Sequence, residues 1–180
     1  MCAVIEYYTY DDYVKWEGDW ELIDGVAYAM SPSPLRSHQA IAMEFGYVLR
    51  DQIKECQRCE VLSEFDYKVS EDTVIRPDVV LVCDDTNENY LTKAPEIVVE
   101  VVSKSSSKRD EKRKFKIYEQ EGVKYYILAY PNDLVAKVFK LKDGRFIKVG
   151  NFTKESLEFE GLICDVKIDF NEVFQRYFKS

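Results

Sequence analysis

The sequence predicts an α/β or α+β domain, a mixed β-sheet flanked by few helices. Three observations carry that expectation. Apolar residues recur at helical spacing over 37–53 and again over 107–121. Short runs rich in Ile, Val and Tyr lie between and after them, bounded by turn residues. The chain has 180 residues, 46% of them hydrophobic. A chain of that size buries roughly 70% of the surface its unfolded form exposes, enough for one core. A single domain over 1–180 is expected, with its core at about 20–131 and further strands and a short helix over 132–180.

The elements follow in order. Asp11–Glu17 suits a short helix, and Trp20–Met30 reads as a hairpin whose Asp24-Gly25 pair supplies the positive-φ positions of a two-residue turn. Ser31-Pro32-Ser33-Pro34 separates it from a helix over Ser37–Ile53, where Ile41, Phe45, Val48 and Leu49 share a face. Strands are expected at Val61–Val69, Ile75–Val82 and Glu96–Val102. Ser107 then caps a helix that Gly122 ends, with Asp110 at the capping-box position. Lys124–Ala129, Val135–Leu141 and Phe146–Val149 read as strands, and Asn171–Phe178 as a closing helix.

Composition excludes several classes. Thirteen Tyr and ten Phe exclude a disordered chain, and seven Gly with five Pro exclude a collagen-like or linker composition. No apolar run approaches the ~18 residues of a membrane helix, and Met1 to Glu6 lacks the pattern of a signal peptide. A cytoplasmic protein with no membrane partner is expected, its five cysteines reduced. Net charge is −8, yet residues 104–116 carry seven Lys and Arg against Asp110 and Glu111, leaving −13 on the rest. An anionic ligand belongs on that segment.

Much chemistry is absent. His38 is the sole histidine, so histidine-rich zinc sites are excluded. No nucleotide-binding glycine loop or nucleophile elbow occurs. Cys56 and Cys59 have C-x-x-C spacing, but no second such pair exists and Cys2, Cys83 and Cys164 are scattered, so a zinc ribbon is not expected.

One constellation remains. Glu100 interrupts the apolar run Ile97 to Val102, and burying a carboxylate costs several kcal/mol unless a cation or donors compensate. Asp78 opens a second apolar run directly after Pro77. Two carboxylates on neighbouring core strands repel unless a divalent cation lies between them. At ~100° per residue, Lys114 falls within the apolar arc formed by Phe115, Ile117 and Tyr118, one turn after Asp110, a potential partner. Arg109, Lys112, Arg113 and Lys116 point away. Carboxylates that hold Mg²⁺, with a lysine that stabilises charge on a phosphate, suit phosphodiester hydrolysis.

These residues also carry a resemblance. Arg76-Pro77-Asp78, Pro95-Glu96-Ile97-Val98-Val99-Glu100-Val101-Val102-Ser103 and Arg109-Asp110-x-x-x-Lys114-x-x-x-Tyr118-x-x-x-Gly122-Val123-x-Tyr125-Tyr126 stand in order. Trp20-Glu21-Leu22-Ile23-Asp24-Gly25 and Ser31-Pro32 with His38 precede them. This set, over about residues 9 to 131, resembles the Uma-two family of restriction endonucleases within the PD-(D/E)XK nuclease superfamily. The resemblance implies a restriction-endonuclease-like core, a mixed sheet flanked by helices, here with an N-terminal hairpin and extra C-terminal strands. It implies Asp78 and Glu100 as metal ligands, and Glu21 matches a family glutamate, carried over as an extra ligand. Val102 stands where the superfamily places its lysine, and Lys114 from the following helix is the inward-facing replacement. His38 shares the apolar face of its helix with Ile41 and Phe45 and reads as a packed, hydrogen-bonded core residue rather than a general base.

The expected function is a Mg²⁺- or Mn²⁺-dependent endonuclease acting on DNA. Its catalytic residues are Asp78, Glu100 and Lys114, its metal ligands Asp78, Glu100 and Glu21, and its nucleic-acid contacts Lys108, Arg109, Lys112 and Arg113. A homodimer is expected, since two sites most simply cut both strands of a duplex. The rival reading is a non-catalytic binding or assembly module that keeps the fold. Nothing in the sequence separates DNA from RNA.

Overall fold

The computed structural model describes residues 6–30, 35–102 and 108–178, with backbone alone for 108–110. The Ser31-Pro32 stretch, the Ser107 cap and the side chains of Lys108, Arg109 and Asp110 lie outside the described residues. Helix α1 spans only Tyr10–Tyr13, one turn, and Tyr13 packs with Leu22 and Val74 beneath Trp16 and Trp20. Strands β1 (Trp20–Ile23) and β2 (Val26–Ala29) form the expected hairpin, with Asp24 at φ 51° and Gly25 at φ 74°. Helix α2 spans Arg36–Gln52 and buries Ile41, Ala42, Phe45, Val48 and Leu49.

The next two expected strands each prove to be two. Val61–Val69 divides into β3 (Cys59–Ser63) and β4 (Tyr67–Ser70), and Ile75–Val82 into β5 (Thr73–Ile75) and β6 (Val79–Cys83). The second break falls at Arg76-Pro77-Asp78. Pro77 has no N–H for a ladder, and the Arg76 N–H donates to the Glu21 carboxylate at 2.9 Å instead of to a strand. The chain there leaves one sheet and enters another. Strand β7 (Ile97–Val101), helix α3 (Lys108–Glu121) and strand β8 (Tyr125–Tyr130) follow. Strands β9 (Val135–Lys142) and β10 (Arg145–Phe152) form a second hairpin, and β11 (Ser156–Phe159) pairs with β12 (Val166–Asp169). Helix α4 (Phe170–Phe174) and a 3₁₀ turn over Gln175–Tyr177 close the fold.

Among the described residues the strands form more than the one sheet expected. The main sheet is six-stranded and mixed, in the order β10-β9-β8-β7-β6-β3. Only β7 and β8 are parallel within it, joined through α3. The N-terminal hairpin belongs to a four-stranded antiparallel sheet, β2-β1-β5-β4. The central strands read as unbroken apolar runs because both faces of the main sheet are covered. Val79, Leu81, Ile97, Val99 and Ile127 pack beneath α2, with Phe170 and Phe174 of α4 in the same cluster. Val80, Val82, Val98, Tyr126 and Leu128 pack with Tyr118 of α3 on the other face. Cys83 and Cys164 are not scattered but lie beside Cys56 and Cys59. The sulfurs of Cys56 and Cys164, and of Cys59 and Cys83, meet in pairs at bonding distance.

Candidate active site

Side chains alternate along a strand. Val98 and Val102 both pack on the α3 side of the main sheet, so Glu100 between them points the same way. On α3, Lys114 and Tyr118 lie four residues apart and so share a face. Lys114 Nζ donates to Oε1 of Glu100 at 3.0 Å, and the Tyr118 hydroxyl donates to the same oxygen at 2.7 Å. Among the described residues the partners of Lys114 are Glu100 and Glu21, the latter at 2.7 Å; the Asp110 side chain that the spacing suggests lies outside them. Glu21 reaches the site from β1, in the second sheet, and its Oε1 also accepts the Arg76 N–H.

Asp78 stands at the break between the two sheets. The antiparallel β6–β7 ladder pairs Val79 with Val99. Asp78 immediately precedes that ladder, at the end of β6 nearest Glu100. The Val101 N–H donates to Oδ2 of Asp78 at 2.6 Å and fixes its rotamer. The Asp78 carbonyl accepts from Ser63 Oγ at 2.9 Å and from the Glu64 N–H at 3.2 Å. These contacts hold the backbone at the break.

Three residues join the site without having been assigned to it from the sequence. His38 is hydrogen-bonded, but to the site: its Nε2 lies 3.2 Å from Oδ2 of Asp78. Its buried Nδ1 has no hydrogen-bond partner among the described residues. The helical pattern sets His38 on an apolar face, and only the tertiary position of α2 shows that the face ends at Asp78. Tyr118 orients Glu100, as described. Arg76 anchors the break: its Nε donates to Asp66 at 2.7 Å and its Nη1 to Asp19 at 2.8 Å.

The electrostatics follow from this crowding. Side chains of Glu21, His38, Asp78, Glu100 and Lys114 are each only 11–14% exposed, so their charges interact with little screening. Burial raises the Glu100 carboxyl, Lys114 opposes that, and Asp78 and Glu21 add to it, bringing its pKa to about 7. Burial works against the Lys114 charge, yet Glu100 and Glu21 outweigh it and hold its pKa above the ordinary value. His38 is raised by its hydrogen bond to Asp78, against burial. Tyr118 is pushed well up by burial and by Glu100, and so remains a donor.

Three carboxyl groups crowd about the Lys114 ammonium and His38 in a poorly hydrated place, and the raised pKa of Glu100 reflects its burial and that crowding. Oδ1 of Asp78 and Oε2 of Glu100 have no hydrogen-bond partner among the described residues. Carboxylate oxygens suit Mg²⁺ or Mn²⁺, so the residues present fit such an ion. No three of Glu21, His38, Asp78 and Glu100 bring ligand atoms within 4.8 Å of one another among the described residues. Glu21 is turned to Lys114, which leaves Asp78 and Glu100 as the carboxylates with a free oxygen among the described residues.

The basic face of α3 is partly covered. Lys112 and Lys116 are exposed. Arg113, set outward by the helical pattern, is half-buried, its guanidinium 4.9 Å from the centroid of the Tyr28 ring. The cause is tertiary: the hairpin carrying Tyr28 packs along that flank.

The sequence model of the Uma2 family, described as "Putative restriction endonuclease", matches residues 6–167. No curated protein matches the sequence. The fold is similar to the crystal structure of a putative nuclease belonging to DUF820 from Anabaena variabilis. The two align with TM-score 0.72 at 16% identity, over 93% of this chain and 97% of that one. At such identity the likeness speaks for the fold alone. A cryo-EM structure of a DrdV–DNA complex aligns with TM-score 0.32 at 12% identity, over 79% of this chain and 14% of that one. That likeness is too slight to bear on either.

Proposed function

The chain belongs to the Uma2 family of putative restriction endonucleases, and on that premise we propose that it is a divalent-metal-dependent endonuclease that hydrolyses DNA phosphodiester bonds. The observation that supports the reading is that Asp78 accepts the Val101 N–H, one residue from Glu100, while Lys114 is hydrogen-bonded to Glu100. Asp78 and Glu100 would hold Mg²⁺ or Mn²⁺. When bound, such an ion polarises a phosphoryl oxygen and lowers the pKa of a coordinated water.

The chain's own residues do the rest. The Val101 N–H and His38 fix one oxygen of Asp78, and Tyr118 and Lys114 fix one oxygen of Glu100. Glu21 positions the Lys114 ammonium from the opposite sheet, a role we assign to it in preference to metal ligation. Lys114 then presents a fixed positive charge to the phosphate, where negative charge grows in the transition state. Val102 offers no amine, which alone would favour a fold-only binding module. Lys114, hydrogen-bonded to the same glutamate from α3, answers that objection.

The test is cleavage of duplex DNA with Mg²⁺, with Mn²⁺ and with a chelator, alongside calorimetric metal titration. Cleavage is expected with either metal, and none with chelator or in Asp78→Asn and Glu100→Gln. Absence of both metal binding and cleavage would make the chain a non-catalytic module. Cleavage of RNA in preference to DNA would reassign the substrate.

A further inference from the structure

Cys56 and Cys59 stand at the junction between α2 and β3, Cys83 at the end of β6, and Cys164 between β11 and β12. Four of the chain's five cysteines, from segments up to 108 residues apart, thus converge at one edge of the main sheet. We propose that these four form a tetrathiolate site for one soft divalent cation, Zn²⁺ by chemistry, rather than two disulfides.

Several observations support a single centre. The two sulfur pairs are not independent, because Cys59 Sγ and Cys164 Sγ, from different pairs, lie 3.0 Å apart. The sulfurs of Cys56, Cys59 and Cys164 all lie within 4.8 Å of one another, and Cys83 contacts Cys59. A tetrahedral zinc with ~2.3 Å bonds sets its thiolates ~3.8 Å apart, within the span of the Cys56, Cys59 and Cys164 sulfurs, and the two pairs at bonding distance would part to admit the ion and bring in Cys83. Two structural disulfides have no reason to share one point.

The backbone also speaks against a disulfide at the second pair. Cys59 and Cys83 face each other directly across the β3–β6 ladder, with Cα atoms 3.9 Å apart. That is closer than the ~4.4–6.8 Å that disulfides usually span. Cys56-x-x-Cys59 has the spacing of a zinc-binding pair. The other two ligands, unreadable from spacing, come from a neighbouring strand and from the C-terminal segment. Cys83 and Cys164 are buried while Cys56 and Cys59 are half-buried, so the cluster keeps a way in from solvent. All-sulfur tetrahedral donors select zinc over magnesium, which separates this centre from the carboxylate pair.

On binding, four thiols give up their protons to solvent and the cation takes four thiolates, with no change of oxidation state. The centre would fasten the β11–β12 segment to the end of α2 and the sheet edge. A clip closing so long a loop acts on the unfolded chain's entropy.

The protein is reduced, loaded with zinc without oxygen and desalted, and its zinc and its thiols are counted. One equivalent of zinc per chain is expected. The four thiols of the site should react only after denaturation with chelator, bringing the total to five. Cys164→Ser should lose the zinc, and Cys2→Ser, altering the fifth cysteine, should keep it. Wild-type protein that retains no zinc after this treatment overturns the proposal. So does protein isolated without reductant that shows a single reactive thiol and resists zinc loading after reduction. Both readings come from the full wild-type chain, so they hold even where Cys164→Ser fails to fold, and neither depends on nuclease activity.

Discussion

At the scale of single residues, Lys114 and Glu100 make the sharpest predictions. Lys114 contacts two carboxylates and is not placed to be a metal ligand. Lys114→Ala should lower cleavage ~10²–10³-fold, the usual cost of losing one electrostatic group, while calorimetry still shows the metal bound. Lys116→Ala, two residues on and exposed, is the matched control and should cleave like wild type. Equal cleavage by both variants would remove the lysine from the mechanism. Glu100 holds its proton to about pH 7, chiefly through burial. A cation must displace that proton, so metal affinity should rise with pH until about 7 and level off above it. The metal-free fold behaves oppositely. Its raised carboxyl stays protonated while the unfolded chain ionises from 4.5 upward, so stability falls as pH climbs between those values. Titrations below and above neutrality check the first, and denaturation of metal-free protein across the same range checks the second. A flat affinity profile would mean that Glu100 is not a ligand.

Among the elements, α2 and α4 illustrate what was legible and what was not. Ile41, Phe45, Val48 and Leu49 announce α2 by spacing alone, and all four are buried as that spacing requires. Phe45 meets Phe170 and Phe174 with ring centroids 6.3 and 6.2 Å away, a packing between distant segments that no local pattern shows. Phe45→Ala should cost about 3–5 kcal/mol, read as a lower urea midpoint at unchanged slope. A loss below about 1 kcal/mol would mean that α4 does not depend on this contact. The merged strands failed for a physical reason. Ile75 and Val79 through Val82 are apolar on both sides of Arg76-Pro77-Asp78, and periodicity cannot distinguish one strand crossing a core from two strands in different sheets. Asp78, Glu100 and Lys114 stood out because charges in apolar patterns need partners. His38 and Arg113 did not, because their partners belong to elements far along the chain.

For the whole molecule, charge is the governing quantity. A net −8 opposes DNA, and the local excess at 104–116 must supply the attraction. Affinity should therefore fall steeply with salt. Neutralising Lys108, Arg109 and Lys112 to Gln should weaken binding and flatten the salt slope by roughly one unit per lost phosphate contact. Cleavage at saturating DNA should persist. Arg113 is spared in that variant because its packing on Tyr28 ties it to stability as well. Filter binding across a salt series provides the measurement, and an unchanged slope would place the DNA on another face.

The bridging of the two sheets also has a consequence in time. Glu21, His38, Asp78, Glu100, Lys114 and Tyr118 are contributed by two sheets and two helices and become neighbours only when all of these have docked. A nascent chain that has not yet exposed residue 114 to folding conditions has carboxylates but lacks the Lys114 that answers them. Even a longer one lacks the lysine's second anchor until the sheet bearing Glu21 has closed. If the chain is the nuclease proposed, an unfinished or half-folded copy would leave DNA uncut, and activity would arise only in the cooperative step that completes the fold.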